Sequence, residues 1–151
     1  DDVDTTVKVF NIMIDMLKEK GIDAHEHKNL IIREYINDMP RCLAAADLVI
    51  SRCGAITLAE LKAAGSASVL IPSPNVAENH QYHNAMALVN NGAAEIIEEK
   101  DLSEEAVIRT VDKLLQNPEK LKEYSDNSRN MAIIDANERI YSIIRKTLGM
   151  I

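Results

Sequence analysis

Three stretches of this chain gather residue types that can hold a phosphate or a sugar. One is Ser51-Arg52-Cys53-Gly54-Ala55-Ile56-Thr57-Leu58-Ala59-Glu60. An apolar run ends there, a glycine lets backbone approach a ligand closely, and helical spacing begins within three residues. Unpaired N–H groups and the positive end of such a helix suit a diphosphate. Gly54, Ala55, Ile56 and Thr57 form the turn, Thr57 adds a hydroxyl, and Glu60 can accept hydrogen bonds from ribose hydroxyls. This geometry needs neither a Walker lysine nor a GxGxxG, and the sequence has neither. The same residues also fit an ordinary strand-to-helix turn, with Thr57 as a cap and Glu60 as a first-turn acid favoured by the dipole.

The second stretch runs from Pro72-Ser73-Pro74-Asn75 to Asn79-His80-Gln81-Tyr82-His83-Asn84. Gln81 and Asn84 carry both donors and acceptors, as reading sugar hydroxyls and an acetamido group requires. A solvated polar helix start has the same composition. His80 and His83 lie three apart, but no acid or third histidine is placed to complete a zinc tetrahedron, so no metal is assigned. The third stretch is Tyr35-Ile36-Asn37-Asp38-Met39. Cys42 and Cys53 form no CxxC or zinc pattern and have no evident His/Asp set. They read as reduced thiols filling small apolar spaces in a cytosolic protein. His25 and His27 read as surface residues.

These stretches need a scaffold, and hydrophobic periodicity supplies one. Residues 6–20 place Phe10, Met13, Ile14 and Leu17 on one helical face, stopped by Gly21. Leu30-Ile31-Ile32 opens an apolar run to Ile36, a strand candidate. Asp38 and Pro40 open a short helix over 40–46. Leu48-Val49-Ile50 and Ser68-Val69-Leu70-Ile71 read as buried parallel strands, and 93–97 as a third short one. Helices are expected over 56–64, 79–90, 103–116, 118–131 and 136–148. Ser103 caps one of them, and Ile140, Ile143, Ile144 and Leu148 form a stripe on the last. Strands of four to five residues alternating with longer helices imply βαβ units and a parallel sheet covered on both faces. All three stretches then fall beyond carboxyl ends of strands, where open parallel sheets bind ligands.

Composition narrows the function classes. The chain has 151 residues, 46% hydrophobic and 27% charged, enough for one α/β domain with a core that needs no disulfide or metal. Aromatics are 3%, with no Trp and one Phe, which argues against stacking on single-stranded nucleic acid. Net charge is −7 and no basic stripe is visible, so no nucleic-acid partner is expected. No apolar run reaches the roughly 18 residues of a membrane span, and no signal peptide opens the chain. It starts on Asp1-Asp2 and not on Met, which reads as a fragment or a processed form.

In order and spacing, YINDMPRCLAAADLVISRCGAITLAEL (35–61), IPSPNVAENHQYHNAMALVNNGAAEII (71–97) and DANERI (135–140) resemble the C-terminal half of the MurG family of bacterial N-acetylglucosaminyltransferases. The resemblance covers roughly residues 30–148. It implies a GT-B fold, two Rossmann-like domains with the active site between them, of which 1–151 would be the truncated donor-binding domain with C-terminal helices at about 103–148. It implies a UDP-N-acetylglucosamine donor and inverting transfer to lipid I, giving the peptidoglycan precursor lipid II. Ile36 would meet the uracil through its backbone, with Tyr35 beside the base. Ala55, Ile56 and Thr57 would hold the diphosphate, Glu60 the ribose, and Gln81 and Asn84 the sugar. His80 stands where some members have Gln, and Cys53 where Ser or Ala is usual.

The family's N-terminal domain, with the acceptor site, membrane-facing patch and candidate base, has no counterpart here, nor has its GGSQG-like loop. No catalytic residue and no cofactor are therefore assigned, and the chain alone is expected to be inactive. The whole enzyme would sit in the cytoplasm, peripheral on the inner face of the membrane. A truncated sheet edge invites a dimer. Two other readings remain. One is a related GT-B donor subunit, of glycolipid or dolichol-linked chitobiose type. The other is a non-catalytic nucleotide-sugar-binding module.

Overall fold

The computed structural model describes residues 14–22 and 29–149. The chain divides into two compact units, Asp1–Met39 and Pro40–Ile151.

In the first unit, residues 14–19 form helix α1. It ends where the sequence places its stop: Gly21 N–H donates to Lys18 O at 2.9 Å and Ile22 N–H to Leu17 O at 2.9 Å. Phe10, Met13, His25 and His27 lie outside the described residues. The strand expected over 30–36 does not form; these residues are irregular coil. Ile31 is 76% exposed and Tyr35 73%. A β-branched run becomes a strand only when a neighbouring strand pairs its backbone and a core covers its side chains, and these side chains are uncovered.

The second unit is a parallel sheet with helices between and after its strands. Its order is α2 (Met39–Ala45), β1 (Val49–Ser51), α3 (Ala55–Ala64), β2 (Ser68–Leu70), a 3₁₀ turn (Ala77–Asn79), α4 (His80–Val89), β3 (Ala94–Ile96), a second 3₁₀ turn (Glu99–Asp101), α5 (Glu104–Leu115), α6 (Pro118–Asn130) and α7 (Ala136–Thr147). The strands run in the order β1-β2-β3. Val49 stands opposite Ser68, and Ser68 opposite Ala94.

Period-2 alternation splits the core between the two faces of the sheet. Leu70 and Ala94 join Cys53, Leu58, Leu61, Ala85, Leu88 and Ala93 on the face covered by α3 and α4. Val69 and Ile97 join Ala67, Leu114 and Tyr124 on the face covered by α5 and α6. The two-sided parallel sheet expected from the β-branched runs is thus present. β2 is central and wholly buried, whereas Ile50 on edge strand β1 is 45% exposed.

Ser103 caps α5 as its place in the sequence suggests, Asn117 adds a cap to α6, and Thr57 makes no cap bond on α3. Ser103 Oγ accepts the Ala106 N–H at 3.1 Å, and Asn117 Oδ1 accepts the Lys120 N–H at 3.0 Å with Pro118 in the first turn of α6. α7 buries none of its residues, and its stripe of Ile140, Ile143, Ile144 and Leu148 is exposed. Among the described residues no helix is long and apolar enough to cross a membrane.

Candidate functional site

β1 delivers the chain to the start of α3, and the hydrogen bonds there show what is left open. Gly54 is the N-cap residue, extended at φ −65°, ψ 146°, with no side chain to accept a first-turn N–H. The first backbone bond of the helix runs from Leu58 N–H to Gly54 O at 3.0 Å. The N–H groups of Ala55, Ile56 and Thr57 are the orphan donors of this terminus. Ala55 and Ile56 are exposed, Ile56 at 78%. A Cβ built on Gly54 meets only Thr57 Oγ1, at 3.7 Å. The predicted turn is therefore formed, with open space at Gly54 and no side-chain cap on the first-turn donors. Glu60 lies on α3, exposed.

Cys53, just before this turn, is fully buried in the core, and burial pushes its thiol up to about 11. A thiol that stays protonated at neutral pH is no nucleophile, so Cys53 is the apolar filler that the sequence suggests. Cys42 is partly buried.

The loop after β2 approaches α3 through one side chain. Gln81 Oε1 accepts the Cys53 N–H at 3.3 Å and the Ser73 N–H at 3.0 Å. The turn leading into Gln81 is unusual. Glu78 and Asn79 are both left-handed, at φ 52°, with Asn79 as N-cap of α4. Consecutive non-glycine residues in this region carry strain that the surroundings must hold in place. His80 is exposed, and its Nδ1 donates to Ala77 O at 2.9 Å, which leaves Nε2 as the free ring nitrogen. Asn84, one turn into α4, is half-buried.

Arg52 joins the strand ends from the other side. Its guanidinium pairs with the Glu99 carboxylate and donates to Ile71 O at 3.3 Å. That bond raises the Arg52 pKa and holds the Glu99 carboxyl below its ordinary range. Sequence reasoning missed both Arg52 and the bracing role of Gln81. Their partners lie 47 and 28 residues away, beyond the reach of any local pattern.

Two cavities open nearby. One of about 150 Å³ is lined by Pro72, Pro74, Asn79, Tyr82, Glu98, Glu99 and Lys100. The larger, about 540 Å³, lies beyond β3 and is lined in part by Glu98, Asp101 and Glu105. Arg109 also lines it, and three carboxylates against one guanidinium leave a net negative lining that disfavours a diphosphate. Gly54, Ala55, Ile56, Thr57, Glu60, His80, Gln81 and Asn84 all belong to the second unit, on α3, α4 and the turns before them. Tyr35 and Ile36 belong to the first unit, where Tyr35 is exposed coil and Ile36 is half-buried.

Comparison with known proteins agrees with this geometry. Residues 6–140 match the glycosyltransferase family 28 C-terminal domain. A protein of Desulforamulus reducens, named UDP-N-acetylglucosamine–N-acetylmuramyl-(pentapeptide) pyrophosphoryl-undecaprenol N-acetylglucosamine transferase, is 44% identical over 132 residues, which are 87% of this chain and 36% of that protein. A protein of the same name from Thermoanaerobacter sp. is 43% identical over 141 residues, 93% of this chain and 38% of the relative. The crystal structure of Acinetobacter baumannii MurG superposes with a TM-score of 0.72 at 32% identity, covering 78% of this chain and 35% of that one. The chain thus spans a little over a third of the length of the relatives it matches. Its three-stranded parallel sheet, its open turn before α3 and these matches agree: the chain belongs to glycosyltransferase family 28 and carries that family's C-terminal domain.

Proposed function

We propose that this chain is the donor-binding part of an inverting glycosyltransferase that moves N-acetylglucosamine from UDP-N-acetylglucosamine to lipid I, forming lipid II for peptidoglycan. The observation that carries this reading is the start of α3. Gly54 is required there neither by its φ nor by packing, and the Ala55, Ile56 and Thr57 N–H groups have no side-chain cap. A diphosphate satisfies these donors, and the helix dipole stabilises the charge that UDP gains as it leaves. Thr57 adds its hydroxyl to the diphosphate, Glu60 holds the ribose, and Gln81 Nε2, Asn84 and His80 face the sugar. Ile36 and Tyr35 meet the uracil.

In the reaction, the acceptor's 4-hydroxyl attacks the anomeric carbon from the side opposite UDP, and its proton passes to a base. We place that base, the acceptor site and the membrane contact in the remainder of the protein, because the relatives named for this transfer are nearly three times as long as their matched part. An undecaprenol-linked acceptor keeps the reaction at the membrane surface, and a UDP-sugar donor places it on the cytoplasmic side.

The test is calorimetric titration of this chain with UDP, UDP-N-acetylglucosamine and UDP-glucose. Saturable binding of UDP, tightened by the N-acetylglucosamine group more than by glucose, is the expected result. A folded chain that binds none of the three refutes the donor-site assignment.

A further inference from the structure

We infer that Gln81 is a positioning residue whose side-chain carbonyl sets the spacing between the turn that opens α3 and the loop that follows β2. Two backbone N–H groups from separate loops, those of Cys53 and Ser73, converge on one Oε1 atom at 3.3 and 3.0 Å. Only an acceptor satisfies two donors, so the amide cannot be flipped. Its Nε2 is therefore held on the other side, without a protein partner among the described residues.

The position of this brace gives it reach. The Cys53 N–H lies immediately before Gly54, the residue that opens the orphan donors of α3. The Ser73 N–H lies in a proline-flanked segment, Pro72-Ser73-Pro74, whose prolines supply no N–H of their own. Ser73 is thus the one backbone donor by which this segment can be held. Its side chain in turn accepts the Asn75 N–H at 3.4 Å. Gln81 stands in the first turn of α4, which opens directly after the left-handed pair Glu78-Asn79. One side chain therefore ties the phosphate-facing turn to the sugar-facing loop. Any Gln81 contact with a sugar uses Nε2 and depends on the Oε1 bonds for its direction.

The brace itself does not depend on the donor-site reading, whereas its effect on nucleotide binding rests on it. The test uses this chain with Gln81→Met, which removes both halves of the amide, and Gln81→Glu, which keeps an acceptor oxygen and loses the donor. In the ligand-free protein, Gln81→Met should speed hydrogen exchange at the Cys53 and Ser73 amides by about five- to tenfold, as expected for one lost hydrogen bond each. Exchange at Ile97, whose N–H donates to Leu70 O inside the sheet, should stay unchanged and so reports an intact fold. Gln81→Glu should restore slow exchange at both amides.

UDP has no sugar beyond its phosphates, so a role limited to sugar contact leaves its affinity alone. The brace predicts that Gln81→Met weakens UDP itself, with a further loss for UDP-N-acetylglucosamine from the missing Nε2. Unchanged exchange at Cys53 and Ser73 overturns the brace. Faster exchange with unchanged UDP affinity confines it to the loops and overturns its reach to the phosphate turn. Wild-type protein that fails to bind UDP refutes the donor site, while the exchange result still decides the brace.

Discussion

At position 54 the backbone sits at φ −65°, ψ 146°, a conformation open to every residue type, and an added Cβ would touch only Thr57 Oγ1 at 3.7 Å. Glycine there is an acceptable N-cap but is not demanded by the backbone or the core, and on the proposed reading it leaves room for a ligand. Gly54→Ala should therefore keep the fold, with stability within about 1 kcal/mol of wild type because a weaker cap and a stiffer unfolded chain offset each other. UDP binding should fall by about 1–3 kcal/mol, the usual cost of forcing a methyl into an occupied space. Paired melting and titration curves decide this. Equal UDP affinity in the two proteins would place the diphosphate elsewhere. Glu60→Ala should weaken UDP by about 1–3 kcal/mol if it holds the ribose, and an unchanged affinity removes it from the site. For Asn84→Ala the informative quantity is the ratio of UDP-N-acetylglucosamine to UDP affinity. It should shrink while UDP alone changes little, and parallel losses for both ligands contradict a sugar contact.

Helix α6 looks in sequence like a plain solvated helix, yet its polar side chains close the ends of two others. Ser125 Oγ donates to Gly65 O at 2.6 Å and Ser128 Oγ to Leu61 O at 3.4 Å, both at the C-terminus of α3, while Asn127 Nδ2 donates to Gly92 O at 2.9 Å just beyond α4. The Gly65 and Gly92 carbonyls lie past the ends of their helices, and the Leu61 carbonyl, which already accepts the Gly65 and Ser66 N–H groups, gains a further donor. Gly65 is left-handed at φ 68°, and a Cβ there would meet the Arg129 guanidinium at 2.7–2.9 Å. Gly65→Ala should cost about 1–2 kcal/mol from the left-handed backbone alone, read as a lower denaturation midpoint. Adding Arg129→Ala should remove the contact but not that backbone cost, and full recovery in the double variant would show that the backbone at 65 carries none of it. Element types and ends were legible wherever a glycine, proline or serine punctuates an apolar period, as at Gly21, Gly65, Ser103 and Pro118. The 30–36 run was misread because a strand is a property of its neighbours, and a β-branched run does not reveal whether a neighbour is there. The turn at Gly54 was legible for the opposite reason: a helix start is local. The α6 bonds were not, since serine 60 to 67 residues from its acceptor carries no local signal.

Across the molecule, the carboxyl ends of the strands form one edge, and Arg52 spans it. Its guanidinium follows β1, donates to Ile71 O after β2 at 3.3 Å, and pairs with Glu99 in the 3₁₀ turn after β3. Half of the Arg52 side chain is exposed and the Glu99 carboxylate is open to solvent, so the pair contributes modestly and is weakened by salt. Its value is in linking three strand ends that otherwise meet only through the central strand. The sign of its pH dependence follows from the Glu99 carboxyl, which the Arg52 hydrogen bond holds below its ordinary 4.5. A carboxyl that binds its proton less readily in the folded state stabilises the fold fully above 4.5, and that contribution disappears as pH falls through the lower folded value. Glu99→Gln should therefore lower the melting temperature by a constant amount at neutral pH. The gap to wild type should close steadily as pH drops below 4.5, and added salt should narrow it at neutral pH. A gap that persists unchanged into acid would mean that Glu99 acts through shape and not charge. The strand ends would then be held by the Arg52–Ile71 bond, the Gln81 amide and the backbone bonds of Ile71 to Ser51 and Ile97 to Leu70.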